Sequence, residues 1–498
     1  MKMFNRLLSS LIPACLALLA AAGSVFASNL DYATNNSPEF FRNPAGRISA
    51  QDSADIAANN PAGTVRMGDG LFVNVSNHTI IKKYTIEDRQ TGKEYESNKP
   101  DLFVPNMFVV FNPANSRFSL WSHVGIIGGG GALYYPDGAP VVNRVIAAGM
   151  AGVDANYAAA GAANGPFSGL AASNFATTAG LLNAYNTIIN KYHFSVMQQS
   201  YQICQAFGTT YSFSDKFSVA AGARVVESSK TNKIYHSEGI NSSSKFIDVE
   251  MTATGVQGIL GVNYRPVQPL NLALTYESVN KMKYKVNVKS NGTDQWGKLS
   301  QMLTDKLGME DGKSFNYDMP HRFMLGATYD ITPSFDVTVG GILYINDGFG
   351  VKIETGTNDS HELKYLNKYA YEIGVGYDWK ITSQILWSAG VMWDNTNQNS
   401  DYMNEVNFHP QAFVVNTGFM FKVNEKLNVS FGFGRNFFPD TNNDKNKAYS
   451  AEPGIAEPAL TGSLGTLNAA MGGNELSRGL TFKKETWITA VGAQYNFL

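Results

Sequence analysis

Ser122, His123 and Asp137 have the side-chain types of a nucleophile, a base and an orienting acid, but their closeness in sequence makes a working catalytic set unconvincing. The seven histidines are scattered, and neither a G-x-S-x-G elbow, an H-E-x-x-H pair nor a close Cys/His cluster occurs. Enzymatic chemistry is therefore not expected, and neither a metal nor a cofactor is implied. What the chain does carry is apolar binding capacity. Trp296, Leu299, Met302, Leu303 and Leu307 recur at helical spacing in one polar stretch, and Leu181, Leu182, Tyr185, Ile188 and Ile189 do so in another. Such stripes either pack against neighbouring structure or form a groove for an apolar molecule, which gains about 25 cal/mol per Å² on leaving water.

Several features bound the elements that could position these stripes. Lys2 and Arg6 precede an apolar run from Leu7 to Phe26 that ends in the small-residue site Val25-Phe26-Ala27, the layout of a cleavable export signal over residues 1–27. Loss of Lys2 and Arg6 takes the formal net charge from −2 to −4, so no nucleic-acid partner is expected. Cys204 is the one cysteine beyond the signal, which excludes an intrachain disulfide in the mature chain. No later apolar run reaches the roughly 18 residues of a spanning helix. Yet the chain holds 24 Tyr, 30 Phe and 47 Gly, leaving a soluble all-β protein or a closed membrane barrel.

Strands with one lipid face and one wet face alternate apolar and polar residues. Leu427, Val429, Phe431 and Phe433 alternate with Asn428, Ser430, Gly432 and Gly434; Leu270, Leu272, Leu274 and Tyr276 alternate with Asn271, Thr275 and Glu277. Fourteen such segments are expected near 70–86, 102–112, 117–134, 192–213, 217–230, 245–264, 269–288, 315–330, 335–347, 361–379, 384–396, 407–422, 427–438 and 480–497. Short turns such as Pro113-Ala114-Asn115-Ser116 and Val423-Asn424-Glu425-Lys426 alternate with long connections over 135–191, 289–314 and 439–479. A soluble sandwich has no reason to alternate so regularly. The expected fold is an all-β membrane protein, a fourteen-stranded antiparallel transmembrane barrel over residues 69–498, placed in the outer membrane of a bacterium and in contact with its lipid.

Residues 28–68 do not read as strands. They carry one tetrapeptide twice, Asn43-Pro44-Ala45-Gly46 and Asn60-Pro61-Ala62-Gly63, in which Pro fixes φ and Gly is free to turn. The stretch is either a periplasmic tail or a plug folded into the lumen. Gly128, Gly129, Gly130 and Gly131 interrupt the third strand, where glycine weakens pairing and marks bulges, or else they end it.

The sequence resembles the FadL-type family of outer-membrane long-chain fatty acid transporters, whose wider membership takes up aromatic hydrocarbons. The resemblance rests on Asp55-Ile56-Ala57-Ala58-Asn59-Asn60-Pro61-Ala62-Gly63, on Val104-Pro105-Asn106-Met107-Phe108, and on Gly128–Gly131 followed by Asp137-Gly138, in that order and spacing. It covers the N-terminal third specifically and the remainder through strand number and pattern. It implies an N-terminal hatch (28–68) with its motif at Asn60, Pro61, Ala62 and Gly63, and a lateral gate at Gly128, Gly129, Gly130 and Gly131. It further implies passive uptake of hydrophobic molecules by a monomer, with long-chain fatty acids foremost and aromatic hydrocarbons as the alternative. The two apolar stripes are the groove candidates, although here the extended loop follows the third strand rather than the fifth. A fatty-acid carboxylate needs a cationic or hydrogen-bonding partner, for which Arg42, Arg47 and Arg66 are candidates. Two other classes remain: a porin for polar solutes, which has little use for a plug or apolar loop stripes, and a receptor or adhesin built on the long loops.

Overall fold

A computed structural model describes residues 35–89, 92–129, 131–140, 142–143, 146, 150, 191–237, 243–290, 294–306, 310–346, 351–354, 360–363, 368–400, 403, 405, 408–444 and 479–497. The expected signal at 1–27, Gly130, Leu181, Leu182, Tyr185 and Leu307 lie outside the described residues, as do the side chains of Met302 and Leu303.

The chain forms a closed barrel of fourteen antiparallel strands, as the alternation predicts. In chain order these are β1 (Gly70–Asp88), β2 (Asp101–Asn112), β3 (Phe118–Gly128, resuming at Ala132–Tyr135), β4 (His193–Ser214), β5 (Phe217–Ser237), β6 (Ser243–Val267) and β7 (Leu270–Glu277, resuming at Lys283–Val288). They continue as β8 (Ser314–Tyr317 and His321–Thr332), β9 (Phe335–Ile345 and Val351–Glu354), β10 (Ser360–Leu363 and Tyr369–Lys380), β11 (Ile385–Asn395), β12 (Ala412–Lys422), β13 (Leu427–Phe437) and β14 (Leu480–Asn496). Closure comes from β14 pairing with β1, in an unbroken register from Phe72 opposite Asn496 to Asp88 opposite Leu480. Every strand thus has a neighbour on both sides over at least part of its length, which is the condition for a sheet to cross hydrocarbon.

Alternation sorts the side chains. Val256, Leu325 and Ile373 are 60%, 63% and 56% exposed on the outer face, whereas Asn263, Thr275, Ser388 and Asn416 are buried inside. An exterior of this apolarity is a membrane surface rather than a water surface. The turns at one end are tight: Asn115 takes φ of 56° between β2 and β3, and only Asp215 and Lys216 separate β4 from β5. At the other end β5 and β6 run further than the alternation suggests, pairing to Ser237 opposite Ser243 and absorbing most of the expected 231–244 connection.

A barrel of eight strands is filled by its own side chains, and one of sixteen to eighteen leaves a water channel. Fourteen strands leave a lumen that the wall alone cannot fill. Residues 35–67 occupy it as two short helices, α1 (Pro38–Arg42) and α2 (Pro44–Arg47), and two 3-10 turns, Ala54–Ala58 and Pro61–Arg66.

Candidate functional site

Each Asn-Pro-Ala-Gly copy opens a helical turn with Pro at its first position, where a missing N–H costs nothing. The first asparagine caps its own helix, the Gly46 amide donating to Asn43 Oδ1 at 3.0 Å. The second reaches outward, Asn60 Nδ2 donating to Asn263 Oδ1 on β6 at 2.9 Å. Around it, Thr210 and Ser218 donate to the carbonyls of Pro61 and Ala62 at 2.7 Å, so the expected hatch motif is held by β4, β5 and β6 together.

Polar contacts continue round the wall. Asn74, Asn112, Asn271 and Asn416 donate to Glu39, Thr64, Ser49 and Phe41, and Gln494 accepts from Ser53 and from the Ala54 amide. Where the segment lies closest, the wall carries glycine. A Cβ on Gly376 would sit 2.1 Å from Asn43 Oδ1, and one on Gly432 2.6 Å from the Pro38 carbonyl. Gly376→Val is therefore expected to lift residues 38–47 off the wall without opening the barrel. Hydrogen exchange read by mass spectrometry should show faster exchange across 38–47 and unchanged protection in β10 and β11; equal exchange in both proteins would refute the fit.

Two of the three arginines named as carboxylate partners are engaged inside the segment. Arg47 Nη1 lies 2.7 Å from Asp52 Oδ1 and Arg47 Nε donates to Asp55 Oδ2 at 3.0 Å; Asn35 and Ser37 also donate to that carboxylate. Burial alone would weaken the Arg47 charge, but Asp52 and Asp55 outweigh it and hold its pKa above the ordinary value. Arg42 donates to Ser388 at 3.2 Å and sits 3.6 Å from Asp52. Arg47 and Asp55 are both buried, and removing one partner of such a pair costs about 3–5 kcal/mol, whereas Asp52 is half exposed and contributes less. These arginines therefore hold the segment's shape. Arg66 donates to the Ser214 carbonyl at the tight-turn end. Glu39 is different: burial pushes its carboxyl above the usual value, Asp55 adds to the rise, and Arg42 and Arg47 offset it.

A cavity of about 200 Å³ lies between α1 and the loop-side half of the wall. Phe40, Phe41, Ile127, Ile342 and Met392 make much of it apolar, and Arg322 supplies a buried cation. Arg322 Nη2 is 2.8 Å from Glu277 Oε2, to which Arg224 also donates at 2.7 Å, and Arg322 Nε has no acceptor among the described residues. Ionisable groups inside spanning strands are the signal that marks Arg224, Glu277 and Arg322 in the sequence; of these the alternation places only Glu277, as a polar-face residue.

The cavity also reaches Gly128 and Gly129. The register of β2 with β3 ends at Asn106 opposite Gly125, so residues 101–105 of β2 continue along β1 alone. Pro105, which lacks an N–H, lies in that stretch, as proline does on strand edges. On its other side β3 bulges between Ile126 and Gly128, and it resumes against β4 with Ala132 opposite Gln199. Gly129 and Gly131 take φ of 87° and 85°, a conformation that β-branched residues do not hold. Below the interruption Asn36 donates to the Ile126 carbonyl at 2.6 Å. Above it the Asp101 carboxylate, paired with Lys82 at 2.6 Å, covers Gly131 so closely that no Cβ could fit.

Helix α3 (Gln295–Lys306) carries the stripe that begins at Trp296. Leu299 is fully buried, and Trp296 stacks on His236 with centroids 3.5 Å apart and meets Phe246 and Tyr192. Those two side chains thus pack into the loop-side core. Ser122 and His123 lie on opposite faces of β3, consistent with strand alternation, and Asp137 is not brought to them. His123 instead faces Cys204 Sγ at 3.6 Å and Asn106 Oδ1 at 3.1 Å, all three buried in the wall.

No protein-family model matches the chain, and no curated protein matches it. Solved structures do. A FadL homologue of Pseudomonas aeruginosa superposes with a TM-score of 0.60 at 14% identity, covering 96% of this chain and 100% of that one. The toluene transporter TodX of Pseudomonas putida gives 0.55 at 11% identity over 95% and 99% of the two chains. The toluene transporter TbuX of Ralstonia pickettii gives 0.51 at 11% over 92% and 98%. The chain shares the fold of these proteins along nearly its whole length.

Proposed function

We propose that the chain is a bacterial outer-membrane channel for passive uptake of hydrophobic molecules, long-chain fatty acids foremost, in which residues 28–68 act as the hatch and the third-strand interruption as the lateral exit. One observation carries the reading: a single cavity is bounded by the lumen segment on one side and by Gly128 and Gly129, where β3 parts from β2, on another. An alkyl chain held there trades water for Phe40, Phe41, Ile127 and Met392, and a carboxylate reaches Arg322. No step needs an energy source, because each move exchanges one apolar environment for another. The solved structures of shared fold are transporters, which supports a non-enzymatic role.

Uptake of monoaromatic hydrocarbons is the second reading, favoured by the fold shared with two toluene transporters. The cation separates the two, since toluene has no use for it. Labelled oleate should bind the detergent-purified protein saturably and should not be displaced by toluene or a disaccharide. Arg322→Leu should weaken oleate binding by roughly 10–100-fold, the worth of a buried charge-assisted hydrogen bond. Displacement by toluene together with an indifferent Arg322→Leu would move the reading to hydrocarbons. Absence of oleate and toluene binding would favour a porin or receptor.

A further inference from the structure

In and beside the second half of β7, four of the five odd positions from 281 to 289 are lysine. Lys281, Lys283, Lys285 and Lys289 are exposed, with Asn287 among them, while Met282, Tyr284, Val286 and Val288 are buried in the loop-side core. Lower on the same strand it is the even positions that face outward, Leu274 being 42% exposed and Glu277 buried. A bulge causes the exchange. Glu277 lies opposite Ile259 of β6 and Lys285 opposite Thr252, so eight steps on β7 match seven on β6. One extra residue turns every later side chain to the other face. Without it the lysines would line the interior.

Their height is set by β6. Its exposed apolar residues run from Val267 through Tyr264 and Leu260 to Val256, after which Thr254 and Thr252 are exposed. Eleven residues span about 36 Å along a strand, or about 28 Å along the axis at a tilt of about 40°, close to the apolar band of about 25 Å of such barrels. Lys281, Lys283 and Lys285 therefore begin where the apolar exterior stops. Glu250 pairs with Lys289 at 2.6 Å, but Lys281 and Lys285 have no acidic partner among the described residues. On β7 itself the outward positions of this stretch hold no carboxylate; of the neighbouring ones, Glu250 pairs with Lys289, and Asp318 and Asp311 accept from the Met282 and Val288 amides.

We propose that Lys281, Lys283 and Lys285, with Thr252 and Thr254 beside them, dock the phosphorylated sugar headgroup of an outer-leaflet glycolipid whose acyl chains lie along the apolar wall below. Phosphate oxygens meet ammonium and hydroxyl donors at the one height where a lipid's charge and chains separate. The surface is independent of what the lumen carries.

The test is binding of bisphosphorylated lipid A to the detergent-solubilised full-length protein. Replacing Lys281, Lys283 and Lys285 together by Gln should lower affinity at least about tenfold. Removing the phosphates from the lipid should cost the wild type a similar factor and the triple variant little more. A charge-matched control, Lys216, Lys380 and Lys422 to Gln at the tight-turn end, should bind like wild type, and heat-modifiable gel migration confirms that each barrel is closed. Undiminished binding by the triple variant, equal wild-type binding of dephosphorylated lipid, or an equal loss in the control would each overturn the proposal.

Discussion

Removing residues 28–66 is expected to turn a closed protein into an ion-conducting pore. The segment is held by polar contacts to strands all round the wall, and those strands present Asn74, Asn112, Asn263, Asn271, Ser388, Asn416 and Gln494 inward. Once it is absent, these groups hydrate instead of remaining unsatisfied, so the wall survives and the lumen fills with water. The inter-strand ladder is untouched, since closure depends on β1 and β14 and not on the filling. Planar-bilayer recordings should show stepwise ohmic currents from the deletion and none from the full chain. A deletion that closes normally but conducts no better than wild type would mean that the lumen is blocked by something else.

The second large effect is expected at the interruption of β3. Val at 129 and 131 is strained at φ near +85°, by roughly 1–2 kcal/mol per residue, and at 131 it also displaces the Asp101 carboxylate. The double variant relieves both costs by drawing the strand into ordinary extended pairing, which closes the stretch where β3 leaves β2. Uptake of labelled oleate by cells should then fall at least about tenfold, while binding to the purified protein stays within about twofold, because Arg322, Phe40, Phe41, Ile342 and Met392 of the cavity wall lie on other elements. Unchanged uptake would sink the lateral exit; a parallel loss of binding would show instead that the glycines shape the cavity.

The barrel was legible because its period is imposed by two solvents at once. Leu427, Val429, Phe431 and Phe433 must meet hydrocarbon and Ser430, Gly432 and Gly434 the lumen, so the alternation is written residue by residue. Above the membrane that pressure disappears. Thr231 to Ile234 continue the register with β6 and the pairing resumes past a bulge at Tyr235, yet with water on the outer side nothing in their types announces it, and the strand was expected to end near 230. The polar interior shows the opposite limit. The types of Arg42 and Arg47 mark them as ion partners, but whether the ion is a ligand or Asp52 and Asp55 depends on a fold-back that turn-rich sequence does not encode in any period. Arg322 sits in a clean strand pattern and gains its place at the cavity only when β8 is set beside β7 and β9. For the stripe on α3, helical spacing left a groove and packing against the protein both open, and Leu299 and Trp296 pack against the protein itself.

The pairing of β14 with β1 also dictates how the molecule can be made. A chain exported from its N-terminus delivers the lumen segment first and the strand that seals the lumen last. Until residues 480–496 arrive, β1 keeps an unpaired edge along its whole length, and Ser53 and Ala54 lack the Gln494 that receives them. A product truncated before that strand is not a narrower channel but an open sheet with two sticky margins, a substrate for proteases and aggregation. Closure is thus all or none: the sheet has an open edge until residues 480–496 pair with β1 and none along that seam afterwards.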